Sequence, residues 1–177
     1  MDISLICRLF ETLPRQGPGN DECTARAFRM IPDLPENPEV LDIGCGAGMQ
    51  TLALARLCPD ARITAVDVHP PVLADLERRA REAGVADRIR TVRASMDALP
   101  FEKNSFDLIW AEGSIFIIGF EKGLSYWREY LKDGGYMAVS DAVWFTADPS
   151  PEAKTFWAEV DPSLKTEEGV AEVIAAS

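Results

Sequence analysis

Histidine is nearly absent from this chain: among 177 residues there is one, His69. The four cysteines, Cys7, Cys23, Cys45 and Cys58, include no closely spaced pair, so a zinc site has no ligand set to draw on and no metal is expected. Long apolar runs are missing too. The longest lies around Ile115–Phe120, far below the roughly 20 residues that span a bilayer. Basic charge is short: 18 Lys and Arg stand against 29 Asp and Glu, a net charge of −11. Such a chain repels phosphate backbones and anionic lipid head groups, so neither nucleic acid nor a membrane is the expected partner. The N-terminus has Asp2 and no base before Arg8, hence no basic segment of the kind that opens a signal peptide. Four reduced thiols in a cytoplasmic protein are the expectation. What is present is a 47% hydrophobic composition over one domain's length, enough for a buried core.

Ile3, Ile6, Leu9, Phe10 and Leu13 recur at helical spacing, and the run from Pro14 to Asn20 breaks them. Asn20 or Asp21 caps a second helix running to about Met30, and Pro32, Pro35 and Pro38 form a stiff connector. Residues 1–38 therefore predict a helical cover and lid on a main domain, 39–177. That domain alternates. Strand-like runs are expected at Val40–Ile43, Arg62–Val66, Ile89–Val92, Phe106–Trp110 and Tyr136–Ser140. Helices are expected at Met49–Leu57, Pro71–Ala83 and Leu124–Leu131, the last closed by Asp133-Gly134-Gly135. Two more follow, Pro149–Val160 and one capped by Thr166. This rhythm predicts an α/β fold: a Rossmann-like, doubly wound, mostly parallel sheet of about five strands.

The most informative segment is Val40-Leu41-Asp42-Ile43-Gly44-Cys45-Gly46-Ala47-Gly48. A buried strand runs into a Gly-x-Gly-x-Gly turn and a helix starts at once, so a ligand can sit against bare backbone beside free N–H groups. Asp67 ends the second strand about twenty residues on, the distance at which a carboxylate meets a ribose diol in nucleotide-binding folds; a helix cap is its plainer role. After the third strand, Asp97 could accept from an adenine amino group and the Met96 backbone could meet the ring edge; the plainer role of Asp97 is to cap its own turn.

Together with Phe106-Asp107-Leu108-Ile109-Trp110 and the run Trp127–Met137, these segments resemble the class I S-adenosylmethionine-dependent methyltransferases over residues 38–145. Within that class the chain resembles the small-molecule branch that includes ubiquinone- and menaquinone-biosynthesis-type enzymes. The resemblance implies S-adenosyl-L-methionine as cofactor and a small-molecule acceptor. It implies that Gly44, with Cys45, and Gly46 bring the backbone to the amino-acid part of the cofactor. Asp67 would hold the ribose, Val68 would pack on adenine, Met96 and Asp97 would hold its edge, and Glu112 would sit at the pocket mouth. The Arg15–Gly19 loop would be either a connector or a lid, with Arg15 or Gln16 near the cofactor's carboxylate.

Methyl transfer is an in-line displacement from a sulfonium that leaves as a neutral thioether, and alignment is the enzyme's main contribution. The catalytic residue is open: Glu112 is the candidate base, ahead of His69. Trp110, Phe116, Tyr126, Trp127, Trp144 and Phe145 gather after strands four and five, either as core or as an acceptor wall. Two other readings share the glycine loop: a cofactor-binding module without transfer activity, and an NAD-dependent oxidoreductase. The latter's Gly-x-Gly-x-x-Gly is broken by Met49. The class usually closes its sheet with two further strands. Their absence before Ser177 predicts either a longer parent protein or a sheet edge covered by a partner chain, a second copy in a homo-oligomer included.

Overall fold

The computed structural model describes residues 13–176, so the helix expected from Ile3, Ile6, Leu9 and Phe10 lies outside the described residues. Five strands, β1 (Glu39–Ile43), β2 (Arg62–Asp67), β3 (Ile89–Arg93), β4 (Phe106–Glu112) and β5 (Leu131–Ser140), form one sheet in the order β3-β2-β1-β4-β5. Every neighbouring pair is parallel, with Leu41 opposite Thr64 on one side and Ile109 on the other. The helices are α1 (Asp21–Phe28), α2 (Met49–Leu57), α3 (Pro70–Glu82), α4 (Phe120–Arg128), α5 (Pro151–Val160) and α6 (Glu167–Ala176).

The strands are apolar on both faces because both are covered. Alternate residues part company at period two. Leu41, Ile43, Val66, Ile109 and Ala111 share a core with Phe120 and Trp127 of α4, and Val170 and Val173 of α6 pack at its margin. Val40, Ile63, Leu108 and Trp110 face the other way, onto α2 and Ala27 and Phe28 of α1. Cys45, Ala65, Leu73 and Leu76 fill the corner between α2 and α3. A one-residue slip of β1 would exchange these two faces, so the register is fixed by burial.

The ends of the helices follow their sequence signals. The Asn20 side chain accepts from the Cys23 amide at 2.9 Å and starts α1. Pro70 and Pro71 open α3, and Gly84, at φ +70°, follows its end. Ser150 caps α5, and the Thr166 hydroxyl accepts from the Gly169 amide at the start of α6.

One expected boundary moves. The helix expected over Leu124–Leu131 is α4, which begins four residues earlier, after Gly119, and ends at Arg128. Leu131 already pairs with Phe106 in the sheet, and Asp133-Gly134-Gly135 bulges out of β5 rather than closing a helix. On β4 the step from Phe106 to Leu108 is matched on β5 by the step from Leu131 to Tyr136. Gly134 takes φ +76° in the bulge, and the Lys132 ammonium meets the Asp107 carboxylate at 2.8 Å across it.

Candidate functional site

From β1 the chain crosses to β2 on one side, and from β4 to β5 on the other. The crevice beyond the carboxyl ends of β1 and β4 is thus the topological switch point, where open α/β sheets receive ligands. The glycine turn forms its floor. Gly44, Gly46 and Gly48 have φ of +71°, +51° and +81°, a region that disfavours side chains. The Gly44 and Cys45 amides both donate to the Val66 carbonyl, at 2.9 and 3.0 Å, which ties the turn to β2. A Cβ on Gly44 would stand 2.6 Å from Ser114 Cβ, and one on Gly46 would stand 2.1 Å from Gln16 Oε1. Bare backbone is what lets the two neighbours close on the turn.

Asp67, at the end of β2, ties the glycine turn to the start of α3. Its Oδ2 accepts from the Gly46 amide and its Oδ1 from the His69 amide, each at 3.0 Å. A carboxylate has about four lone-pair sites, so each oxygen keeps capacity for a ligand hydroxyl. The helix-cap role expected for Asp67 falls instead to His69, which is the N-cap of α3; Asp67 only closes the turn ahead of it by accepting from the His69 amide, two residues on. Val68, beside it, is 58% exposed, an apolar side chain at the crevice with no cover of its own. Gln16 reaches the turn from the N-terminal segment, its Oε1 accepting from the Ala47 amide at 3.0 Å.

Cys45 turns its side chain into the α2–α3 core, where burial pushes the thiol well up, so only its backbone faces the crevice. The Met96 side chain reaches to within 3.5 Å of a Cβ position at Gly44, while its carbonyl accepts from Trp127 Nε1 at 2.8 Å. Asp97 is exposed next to it and accepts from the Ser95 hydroxyl, which holds its carboxyl below the usual range.

Glu112 ends β4 in a knot of three donors. Arg15 Nη1 donates to Oε2 at 3.0 Å; Thr24 Oγ1 and Trp110 Nε1 donate to Oε1 at 2.7 and 2.9 Å. Two of these donors, Arg15 and Thr24, come from the N-terminal segment and α1, so Glu112 anchors both to the end of β4. Arg15 also pairs with Asp21 at 2.8 Å, so the segment is fastened to α1 as well. The sequence alone did not point to Thr24 or to the Trp110 indole, since a threonine in a short helix and a tryptophan in a buried strand carry no signal of a distant partner.

Also unforeseen is Asp42, fully buried on β1. Its Oδ2 accepts from the Thr51 hydroxyl at 2.5 Å, and among the described residues its Oδ1 has no donor at hydrogen-bond geometry. Burial, with the negative charge of Glu112 adding to it, pushes this carboxyl up to about 7. An acid inside an otherwise apolar strand was the available signal.

Of the aromatic group, Trp127 is core, and Tyr126 and Tyr130 hydrogen-bond under the Leu99 segment. Phe145 is almost wholly exposed. Trp110 and Phe116, with Trp157 of α5, line a cavity of about 450 Å³ beside the crevice. A second recess, of about 540 Å³, lies at the opposite end of the sheet, against Glu39, Arg62 and Phe106, and is remote from the glycine turn.

The turn, Asp67, Met96, Asp97 and Glu112 all fall within residues 40–135, the stretch that matches the family model described as a methyltransferase domain. This chain belongs to the methyltransferase domain family. It is 32% identical to the sterol 4-C-methyltransferase of Caenorhabditis elegans over 63% of this chain and 33% of that protein. It is also 32% identical to the sarcosine/dimethylglycine N-methyltransferase of Aphanothece halophytica, over 72% of this chain and 46% of that protein. Among solved structures, the geranyl diphosphate C-methyltransferase of Streptomyces coelicolor A3(2) has the same fold. Its TM-score is 0.74 at 19% identity, over 88% of this chain and 58% of that one. The chain spans between about a quarter and a half of the length of the curated relatives it matches. Gln16, the N-terminal segment and the α5 wall of the cavity lie outside the stretch that matches the methyltransferase domain.

Proposed function

We propose that this chain is the cofactor-binding core of an S-adenosylmethionine-dependent methyltransferase acting on a small-molecule acceptor. One observation carries the reading: a side-chain-free turn at the switch point, with its Gly46 amide locked to Asp67 and its Ala47 amide within reach of Gln16. Close approach to bare glycine backbone, with a glutamine amide beside it, suits the amino-acid end of the cofactor. The remaining lone pairs of Asp67 suit the ribose hydroxyls, and exposed Val68, Met96 and Asp97 suit the adenine. When bound, the cofactor supplies a methyl group on a sulfonium.

The chain's own work is alignment, which can contribute about 7–11 kcal/mol when reacting groups are held in line. Gly44 and Ser114 fix the floor, Asp67 fixes the ribose end, and Arg15 and Glu112 hold the N-terminal segment across the turn. In this arrangement residues 1–38 serve as the cover and 39–177 as the methyltransferase domain. Glu112 acts as the cover's anchor rather than as the base. A reducing, cytoplasmic setting fits the free thiols Cys23, Cys45 and Cys58.

Calorimetric titration with S-adenosylhomocysteine and S-adenosylmethionine tests the proposal. Binding of both, with transfer of labelled methyl to an acceptor, is the expected result. Binding without any transfer would favour a cofactor-binding module, and stabilisation by NADH but not by S-adenosylhomocysteine would overturn the proposal.

A further inference from the structure

The 450 Å³ cavity has a one-sided charge. Among the described residues, three carboxylates line it, Glu112, Asp141 and Asp161, and no lysine, arginine or histidine does. Glu112 is matched by Arg15. Asp141 and Asp161 are not: among the described residues neither has a lysine or arginine at ion-pair distance. Asp161 is 6% exposed, its Oδ1 accepting from the amide and hydroxyl of Ser163 at 3.0 and 2.7 Å. Asp141 accepts from the Ala142 amide, and burial together with the Asp161 charge pushes its carboxyl up. The wall around them is apolar and aromatic, with Trp110, Phe116, Val139 and Trp157. Two like charges in such a wall are costly without a counter-charge. A cation would relieve both, and ring faces attract cations as well.

Position adds to charge. Glu112 and Gly113 line the cavity, and the next residue, Ser114, is the one that would touch a Cβ on Gly44. An occupant of the cavity therefore lies next to the floor of the crevice.

We propose that this cavity takes its acceptor from one chemical class: small organic amines, protonated in solution, with an apolar or aromatic body. The ammonium group sits against Asp141 and Asp161, and the body lies along Phe116 and Trp157. This rests on the methyltransferase reading and narrows its acceptor.

Three matched probe pairs test it by saturation-transfer NMR and thermal shift: hexylamine and hexanol, phenethylamine and 2-phenylethanol, tryptamine and tryptophol. Each pair keeps the body and removes the charge. The amines are expected to bind about tenfold or more tighter than the alcohols, as charged hydrogen bonds require. Asp141→Asn and Asp161→Asn should each shrink that preference, while affinity for S-adenosylhomocysteine, which also reports that each variant is folded, stays unchanged. Alcohols binding as well as amines, or no binding by any of the six while S-adenosylhomocysteine binds, would overturn the amine proposal alone. An amine preference that survives in folded variants would do the same. Failure of the unaltered chain to bind S-adenosylhomocysteine would overturn the methyltransferase reading, and this proposal with it.

Discussion

Replacing Asp42 with asparagine should stabilise the protein more at high pH than at low. Asp42 is fully buried, its Oδ1 has no donor at hydrogen-bond geometry among the described residues, and its carboxyl is raised from the ordinary value of 3.8 to about 7. Between those values the native protein keeps a proton that the unfolded chain has released. Stability is therefore fully present below about pH 4, falls as pH rises through 7, and is flat above. Each tenfold step is worth about 1.4 kcal/mol, so the whole span is worth about 4 kcal/mol and the range from pH 5 to 8 about 2–3 kcal/mol. Asparagine does not titrate, and its side-chain carbonyl can keep the Thr51 hydrogen bond. Urea unfolding of both proteins at pH 5, 6, 7 and 8, followed by tryptophan fluorescence, measures the difference directly, because every other carboxylate cancels between them. The Asn variant should gain on the native protein by about 2–3 kcal/mol across that range. A difference that does not change with pH would refute the account of Asp42.

Asp67→Ala removes the acceptor of the Gly46 and His69 amides and should weaken S-adenosylhomocysteine binding by about 10- to 150-fold, from about 1.5–3 kcal/mol for charged hydrogen bonds; calorimetry that finds equal affinities removes Asp67 from the site. Gly48→Ala places a Cβ 2.1 Å from Leu76 Cδ1 at φ +81°, and should cost about 2–5 kcal/mol in urea unfolding, from backbone strain plus overpacking. Gly84→Ala has similar φ, +70°, but nothing within 4 Å, and should cost only about 1–2 kcal/mol; equal costs would show that the Leu76 contact is irrelevant. Trp127→Phe leaves the Met96 carbonyl without its donor and should cost about 1–3 kcal/mol, with faster amide exchange at Asp97 and Ala98; unchanged exchange there would mean that the indole does not hold the segment.

Local signals carried most of the fold. Short apolar, strand-like runs pointed to all five strands, α2 was legible to the residue at Met49–Leu57, and of the two cap candidates, Asn20 and Asp21, Asn20 is the cap. Glycines so close to the end of β1 marked the crevice floor, and spacing alone brought Asp67 to it. The misses are non-local. Nothing near Gly119 signals a helix start, and the β5 bulge depends on β4 being alongside for Asp107 to meet Lys132. Glu112 was placed beyond β4, yet its partners Arg15 and Thr24 lie 97 and 88 residues away in sequence. The cavity could not be read either, since its walls come from α1, β4, β5 and α5, and no motif ties Asp141 to Asp161.

The Glu112 knot also sets an order of events during synthesis. Thr24 leaves the ribosome 88 residues ahead of the carboxylate that receives it. At about 5–20 residues per second, the N-terminal segment waits about 5–20 s with its hydroxyl and the Arg15 guanidinium still in water. β1, β2 and β3 are made in that interval, and β4, made after them, is the strand that lies against the other side of β1. Only at that point does the Glu112 carboxylate exist to receive Arg15, which until then has Asp21 alone. Nascent chains halted before Glu112 should therefore be cut by trypsin at Arg15, whereas chains extended past β5 should resist cleavage there. The strap across the crevice is the first part of the described chain to be made, yet its bonds to Glu112 wait for the end of β4.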